Sequence, residues 1–422
     1  MTAAPLLLVA DHVAGVCQVL ALPGGTPVAR LEGRHLSEHA GFLALPHGRV
    51  ACVDDRAGEL LVLAPFVAAS GGPLIETRVP VAVPAEHLAA DRTGRRLAVT
   101  TGLGRATKPW SDLLTVVDLP DPGGPGHLGN PDRPDAVRVR TRTGEPGVTL
   151  HGGPDPVVVL RERAPGRLAA HRHADLLAAP PGCPAVTPYA ELPLPDDGHG
   201  DAADAGTGRV FAATGEGVHR ARLRGDRLVA EEPLSWSADG RTGGRGYYLR
   251  LDPRHRTLWS SLRGGPADPP RWPEWTNDAW WHHLGSGRTG RLPLGPGLVF
   301  RMAVARDRAA FTRVHPDGDE LILVRTDLES PAVAARTPLP PMDGAPRPGA
   351  GPWEGVQRRA VAASPGASLV AVSRGGHGEV HLFDAEEPGG SRLLHIGTAL
   401  DHGGGLALLA PDDGAEADQV GR

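Results

Sequence analysis

Short apolar runs separated by tight turns recur along this chain of 422 residues. The clearest unit lies between residues 196 and 223, where an alternating run follows a His-Gly pair and two further runs follow turns that contain glycine. Apolar and polar positions alternate with a period of two, and each turn is only a few residues long. This pattern predicts an antiparallel meander of strands and not helices.

The same unit recurs as an apolar run, a turn that contains Gly or Asp-Pro, and a second apolar run. The spacing between units is about fifty residues, which is typical of propellers and solenoids. The further copies lie at residues 39–64, 87–119, 157–178, 247–262, 299–325 and 359–384.

The two ends of the chain complement each other. Leu6 to Ala10 and Val16 to Leu22 have the pattern of second and third strands, whereas Gly405 to Pro411 has the pattern of a first strand with nothing after it. Joining the ends completes a four-stranded blade and so removes an unpaired sheet edge. The pattern therefore predicts a ring closed by the N- and C-terminal strands in one blade.

The predicted fold is all-β, a single β-propeller of four-stranded blades over residues 1–411. We predict eight blades, or seven if the irregular stretch 143–195 is an elaborated loop. Residues 412–422 are predicted to form a disordered acidic tail.

One segment resembles known repeats. The phrase TGRVFAATGEGVHRARL, at residues 207–223, resembles the second and third strands of YVTN-type and NHL-type β-propeller repeats, and His199-Gly200 resembles their His-Gly lead-in. This resemblance implies a fold and not a reaction, because such propellers include lyases, lactonases, metal-dependent oxidases and binding scaffolds.

The composition excludes several partners and suggests a location. The net charge is -5, Lys108 is the only lysine, and no cluster of basic residues occurs, so we expect no nucleic-acid partner. No apolar segment is long enough to span a bilayer, and the first residues predict a strand and not a signal peptide, so we expect a soluble protein with no membrane partner. Three widely spaced cysteines, Cys17, Cys52 and Cys183, favour a cytoplasmic location.

Histidines precede several predicted innermost strands, where segments converge on the central channel. Imidazole suits copper or iron, and a ring of such ligands resembles the four-histidine iron of carotenoid cleavage oxygenases and, more distantly, the copper site of propeller methanethiol oxidases. Alternatively, each His-Gly pair is turn chemistry of the repeat, with the ring bonded to a neighbouring carbonyl. The predicted metal ligands are His39, His87, His151, His199 and His402.

A second set of histidines is predicted in the loops between second and third strands, on the same face of the ring. They could orient ligands or exchange protons near neutral pH, and His171 and His173 are the catalytic candidates. Alternatively, each is a solvated loop residue. The set comprises His12, His171, His173, His315 and His377.

Arginines replace histidine on the remaining blades. Guanidinium groups at the channel mouth could hold the carboxylate or phosphate of an anionic substrate, or they could pair with acidic residues between blades. The predicted substrate-binding residues here are Arg245, Tyr247, Arg301 and Arg358, with Arg359 beside them.

Tryptophans lie on two long loops. Trp272 and Trp275 belong to the insertion at residues 263–278, and Trp110 belongs to the loop at residues 101–112. They predict either a lid that contacts a ligand or packing within the fold.

These patterns lead to three functional hypotheses. The first is an oxidase or oxygenase that uses iron or copper and dioxygen on a small-molecule or peptide substrate at the channel mouth. The second is a lyase or cyclase of the virginiamycin-lyase type with a histidine as general base. The third is a binding scaffold without catalysis, for which histidine variants would change binding but no turnover.

Overall fold

The computed structural model describes most of the chain, and its strands form eight antiparallel sheets arranged as a ring. Within each sheet, consecutive strands of the chain lie side by side as a meander, and in one sheet the last strand of the chain is added beside the first. The described residues are 4–102, 111–120, 135–153, 155–353, 355–387 and 389–411.

The sheets are called blades 1 to 8 in chain order. Blade 1 contains β1 (Leu6–Asp11), β2 (Val16–Ala21) and β3 (Thr26–Glu32), and blade 2 contains β4 (Leu43–Leu45), β5 (Arg49–Asp54), β6 (Glu59–Leu63) and β7 (Ile75–Pro80). Blade 3 contains β8 (Ala85–Ala90), β9 (Arg96–Thr101), β10 (Leu113–Asp118) and β11 (Asp135–Arg140). Blade 4 contains β12 (Gly147–His151), β13 (Val157–Glu162), β14 (Arg167–Arg172) and β15 (Ala190–Pro193).

Blade 6 differs from the others because its innermost strand is broken into two pieces that both pair with the next strand. Blade 5 contains β16 (Gly200–Asp204), β17 (Arg209–Ala213), β18 (Gly217–Arg224) and β19 (Arg227–Ser235), and blade 6 contains β20 (Arg245–Gly246), β21 (Arg250–Asp252), β22 (Thr257–Gly264), β23 (Thr276–His283) and β24 (Thr289–Pro296). Blade 7 contains β25 (Leu298–Ala305), β26 (Arg308–Val314), β27 (Asp319–Arg325) and β28 (Ala332–Leu339). Blade 8 contains β29 (Val361–Ala363), β30 (Leu369–Arg374), β31 (Glu379–Asp384) and β32 (Ser391–His395).

The last strand, β33 (Gly405–Leu409), closes the ring. It pairs antiparallel with β1 and becomes the innermost strand of blade 1. The short helices α1 (Pro65–Ala69) and α2 (His173–Leu177) connect third to fourth strands in blades 2 and 4. No helix in the described part of the chain is long and apolar enough to cross a membrane.

The hydrophobic core is divided among the interfaces between blades. Each of eight clusters combines side chains from two neighbouring blades. In β1, for example, Leu6 and Leu8 pack towards blade 2, whereas Leu7 and Val9 pack towards blade 8. Both faces of such a strand are buried, so its sequence is a continuous apolar run and not an alternating one.

The structure confirms the predicted all-β propeller with eight four-stranded blades. The alternative of seven blades is wrong, because residues 143–195 include the four strands of blade 4. The predicted closure by the terminal strands is confirmed by the pairing of β1 with β33. The predicted tail, 412–422, lies outside the described residues.

Candidate functional site

The front face of the ring carries the loops that lead into the innermost strands, together with the loops between second and third strands. The back face carries the loops between first and second strands and between third and fourth strands. This follows from the meander, since the chain reverses direction at each turn. The side chains at the front therefore come from all eight blades and converge on the channel mouth.

Four of the five predicted metal ligands lie at the front. His39 and His402 precede β4 and β33, and His199 lies directly before β16. His87 is the third residue of β8 and is almost fully buried. The predicted placement beside the innermost strands is therefore confirmed for these four histidines.

His151 is placed differently. The prediction that it precedes an innermost strand is wrong, because β12 begins at Gly147 and His151 is its last residue, at the back end of the strand. Its ring is buried, and burial lowers the pKa of His151 to about 4. It cannot join the other four histidines at the front.

The face predicted for His171 and His173 is also wrong. His171 lies in β14, the third strand of blade 4, and His173 begins α2, so both lie towards the back. Both side chains are buried. The prediction is confirmed for the other members of this set, His12, His315 and His377, which lie in loops between second and third strands at the front.

The front histidines do not form a ring around one ion. Within the described ranges, no group of three or more His, Cys, Asp or Glu side chains could hold a metal. His12 and His402 stack with their ring centroids 6.1 Å apart, and His39 Nδ1 lies 3.3 Å from a carboxylate oxygen of Glu86. The resemblance to the four-histidine iron of carotenoid cleavage oxygenases is therefore not supported.

His87 and His199 lie near each other, apart from the pair His12 and His402. Burial lowers the pKa of His87 well below its usual value, and the nearby Arg161 and His199 lower it further. Burial likewise lowers the pKa of His199 to about 4, with Arg163 and Arg161 adding to the effect. Both rings are therefore neutral near pH 7. The Nδ1 atom of each is buried, and no described residue forms a hydrogen bond with it.

The glycines of two His-Gly pairs are required by close packing. A Cβ atom on Gly200 would lie 2.5 Å from the Cα atom of Tyr248 on the next blade. A Cβ atom on Gly403 would lie 2.7 Å from the carbonyl oxygen of Arg358, and Gly403 has a φ of +90°. The glycine of each pair therefore allows neighbouring blades to approach, and this requirement does not involve the histidine ring.

Glu38 is the central acid of the front face. Its carboxylate lies 2.9 Å from Arg358 Nη1, 3.8 Å from Arg301 Nη2 and 3.7 Å from His12 Nε2. Burial opposes its ionisation, but the guanidinium groups of Arg358 and Arg301 outweigh this, so the pKa of Glu38 is lowered. Glu38 belongs to the loop before blade 2 and reaches residues of blades 1, 7 and 8, so it spans part of the channel mouth.

Arg301 reaches the channel through a β-bulge. The register of β25 and β26 shifts between Val299 and Met302, which takes Phe300 and Arg301 out of the regular ladder. Bulges of this kind redirect side chains and are frequent beside active sites. A quarter of the Arg301 side-chain surface is exposed, so solvent and small molecules can reach it.

Two arginines of blade 6 flank one tyrosine. Arg245 and Arg263 are direct cross-strand partners in β20 and β22. The guanidinium carbons of Arg245 and Arg263 lie 5.2 Å and 4.4 Å from the ring centroid of Tyr247. Arg245 is paired with Asp197 at 3.4 Å, and Tyr247 contacts the ring of His199 edge to face with centroids 5.5 Å apart.

The tryptophans of the long insertion pack into the fold. Trp272 is fully buried and donates from Nε1 to the carbonyl of Arg347, while Trp275 donates to the carbonyl of Pro266. Together with Trp353 they form a small apolar cluster over blades 6 to 8. Trp272 therefore has a packing role, whereas the Trp275 ring also faces Arg263 at 4.6 Å. Trp110 lies outside the described residues.

Four arginines at the front of blades 6 to 8 outnumber the carboxylates of the described residues that pair with them. Arg359 is not part of the excess, because it is buried and bonded to Asp319 and to two backbone carbonyls. Of the described residues, only two carboxylates pair with the remaining four guanidinium groups, and none pairs with Arg263. The four cations are Arg245, Arg263, Arg301 and Arg358, and the two acids are Asp197 and Glu38.

No protein-family model and no curated protein sequence matches this chain. Apo AztD from Citrobacter koseri has a similar structure, with a TM-score of 0.63 and 12% sequence identity over 96% of this chain and 98% of that chain. The dihydro-heme d1 dehydrogenase NirN in complex with DHE has a TM-score of 0.58 and 14% identity over 97% and 76% of the two chains. At these identities the similarity shows the β-propeller fold alone.

Three residues of the site were not predicted from the sequence. Glu38 lies directly before His39, so its position in the loop that leads into blade 2 was an available signal. Arg263 is the next-to-last residue of β22, at the start of the long insertion, and this position predicts the front face. Nothing in the sequence around Trp353 predicts its place in the site, because its partners Arg263 and Phe300 lie far away in the chain.

Proposed function

We propose that the protein binds a small organic anion at the front channel mouth, over blades 6 to 8. The observation that carries this proposal is the charge imbalance, in which four guanidinium groups share two carboxylates among the described residues. Of the three hypotheses drawn from the sequence, binding at the mouth is the one that this geometry supports best. A virginiamycin-lyase type of reaction stays a prediction.

The chemistry of these arginines favours a carboxylate or a phosphate. Burial lowers the pKa of Arg301 while Glu38 raises it, yet guanidinium groups keep their proton at neutral pH. Arg301 and Arg358 must share the single carboxylate of Glu38, so neither has a complete set of partners there. An added anion supplies the missing acceptors, and each charge-assisted hydrogen bond is stronger than a neutral one.

The proposal is tested by titrating the purified protein with succinate, citrate, benzoate and inorganic phosphate in a calorimeter. We expect at least one to bind more tightly than about 1 mM, and Arg301→Gln to weaken that binding about tenfold or more, equivalent to about 1.4 kcal/mol. Arg325→Gln is the matched control, since Arg325 ends β27 at the back and pairs with the exposed Asp327. Equal affinity in both variants, or no binding of any anion, overturns the proposal.

A metal-dependent oxidoreductase is the second candidate function. It is favoured by His87 and His199, which are both neutral and each have a buried Nδ1 atom that no described residue partners. Neutral imidazole is the ligand form, and a buried nitrogen without a partner calls for a water or an ion. NirN is a dihydro-heme d1 dehydrogenase, so a similar propeller is used in redox chemistry.

Copper and iron are the metals proposed for this second candidate, and analysis of the purified protein by mass spectrometry tests it. Stoichiometric metal that is lost in the double variant His87→Ala, His199→Ala supports it. His395→Ala is the control, because His395 is exposed on the outermost strand β32. Metal content that does not depend on His87 and His199 contradicts it.

A further inference from the structure

We propose that Arg263 and the rings of Tyr247, Trp275 and Trp353 form a subsite for an aromatic carboxylic acid, in which Arg263 holds the carboxylate. The subsite deepens the proposed anion-binding function and rests on it. The proposed ligand class is a carboxylate attached to a flat, apolar group.

The Arg263 guanidinium is enclosed by aromatic rings. Its central carbon lies 4.4 Å from the centroid of Tyr247, 4.6 Å from that of Trp275 and 5.0 Å from that of Trp353. Cation–π contacts of this kind favour arginine. They do not, however, satisfy the N–H groups in the guanidinium plane, so hydrogen-bond donors are left over.

No acid of the described residues neutralises Arg263. Among the described residues, the buried Nε atom of Arg263 has no hydrogen-bond partner, and its guanidinium forms no ion pair or hydrogen bond. Burial lowers the pKa of Arg263, which reflects the cost of keeping this charge away from water. A half-buried cation with unused donors is expected where a ligand supplies the missing acceptor.

The position of Arg263 opposite Arg245 supports the same conclusion. Like charges directly across a strand pair are destabilising, and here both guanidinium groups share the ring of Tyr247. Asp197 pairs with Arg245 and not with Arg263. Stability alone does not explain this arrangement, but a bound carboxylate would offset the repulsion.

The surrounding surface selects a flat apolar ligand. Tyr247, Phe300 and Trp353 are each only partly buried, and Trp353 contacts Phe300 with ring centroids 5.0 Å apart. Phe300 also lines a shallow depression together with Leu298 and Arg358. Since rings cover the faces of the Arg263 guanidinium, a partner approaches along its plane, where two N–H groups match the two oxygens of a carboxylate.

The experiment compares benzoate and indole-3-acetate with acetate and inorganic phosphate by calorimetry. For the ligands without an indole group, quenching of tryptophan fluorescence is a second readout, since Trp275 and Trp353 lie in the subsite. We expect both aromatic acids to bind about tenfold or more tightly than acetate. Arg263→Gln should remove this preference, and Arg263→Lys, which keeps the charge, should restore only part of the affinity. Arg254→Gln, on an exposed arginine in the back turn of the same blade, is the matched control.

The outcomes separate this inference from the proposed function. If acetate, phosphate and the aromatic acids bind equally well, and Arg263→Gln changes nothing while Arg301→Gln weakens all of them, the inference is wrong and the anion-binding function stands. If none of these anions binds to the wild-type protein, both fail. If Arg263→Gln lowers thermal stability but leaves the preference for aromatic acids intact, Arg263 has a structural role and the inference is overturned.

Discussion

Glu38 occupies the position at which the carboxylate of a ligand would pair with Arg301 and Arg358. It comes from a loop on blade 2, whereas the two arginines come from blades 7 and 8. An internal carboxylate in this position offsets only part of the charge of the two arginines. If the two arginines bind an anion as proposed, Glu38 competes with it, so removal of the Glu38 charge is expected to affect stability and affinity in opposite directions.

Glu38→Gln keeps the shape of the side chain and removes its charge. We expect the free energy of unfolding to fall by roughly 1–2 kcal/mol, because two partly buried guanidinium groups lose their acceptor. The affinity for the anion that binds the wild-type protein should rise by about threefold or more, because the internal competitor is gone. Urea unfolding and calorimetric titration measure the two effects.

Glu32→Gln provides the control for this substitution. Glu32 pairs with Arg30 on the outermost strand of blade 1, where its side chain is 72% exposed. An exposed pair contributes little, so this variant should change stability by at most about 0.5 kcal/mol and should not alter affinity. A weaker affinity in Glu38→Gln would show that Glu38 helps to hold the ligand and does not compete with it.

Turns at the back of the ring link neighbouring blades through charged groups. His255 lies in the turn after β21, where Nδ1 is 2.8 Å from Asp252 and Nε2 is 3.3 Å from Asp307 of blade 7. Arg254 also faces Asp307, at 3.4 Å. The hydrogen bond to Asp252 outweighs burial and raises the pKa of His255. Protonated His255 therefore ties blade 6 to blade 7.

This link predicts a dependence of stability on pH. A raised pKa in the folded state means that the stabilisation is complete below the unfolded pKa of about 6.5 and is lost as the pH rises through the folded pKa. His255→Gln should therefore lower the free energy of unfolding by roughly 0.5–1 kcal/mol at low pH and by less at high pH. Chemical unfolding of both proteins from about pH 5.5 to about pH 8.5 measures the difference.

His395→Gln is the control for the pH series, because His395 is exposed on β32. Its effect should be small at every pH. A difference between wild type and His255→Gln that stays constant across the series would contradict the assignment of the raised pKa to the contact with Asp252.

The ring as a whole depends on the pairing of β1 with β33, since every other sheet consists of strands that are close in the chain. Five residue pairs join these two strands. Leu408 of β33 is 4% exposed and belongs to the cluster between blades 1 and 8. Closure therefore relies on hydrogen bonds within blade 1 and on apolar packing at its border.

Leu408→Ala should lower the free energy of unfolding by about 2–4 kcal/mol, because it leaves a cavity at the closing blade. Denaturant unfolding followed by circular dichroism measures this. Leu393→Ala, at a leucine that is 41% exposed on β32, should change stability by at most about 0.5 kcal/mol. Similar small effects for both variants would show that closure by β33 contributes little to stability.

Several histidines show where prediction of the site from the sequence failed. The placement of His39, His87, His199 and His402 near the front was correct, because each lies close to the start of an innermost strand. His151 was misplaced because its strand starts four residues earlier, at Gly147, and so ends at the histidine. A strand of five or six residues runs through the whole thickness of the ring, from the front face to the back face. A shift of a few residues in the predicted strand therefore moves a side chain from one face to the other.

By itself, the sequence determined the all-β propeller and its closure and favoured eight blades over seven, because apolar runs and turn residues act locally and repeat. The structure decided the number of blades, since the irregular stretch 143–195 contains the four strands of blade 4. Only the tertiary structure decided which side chains meet. Glu38 contacts Arg358 across 320 residues of chain, and Arg263 contacts Trp353 on another blade. Such contacts depend on how the ring brings loops together, and this depends on the exact ends of many strands, which short-range patterns do not specify.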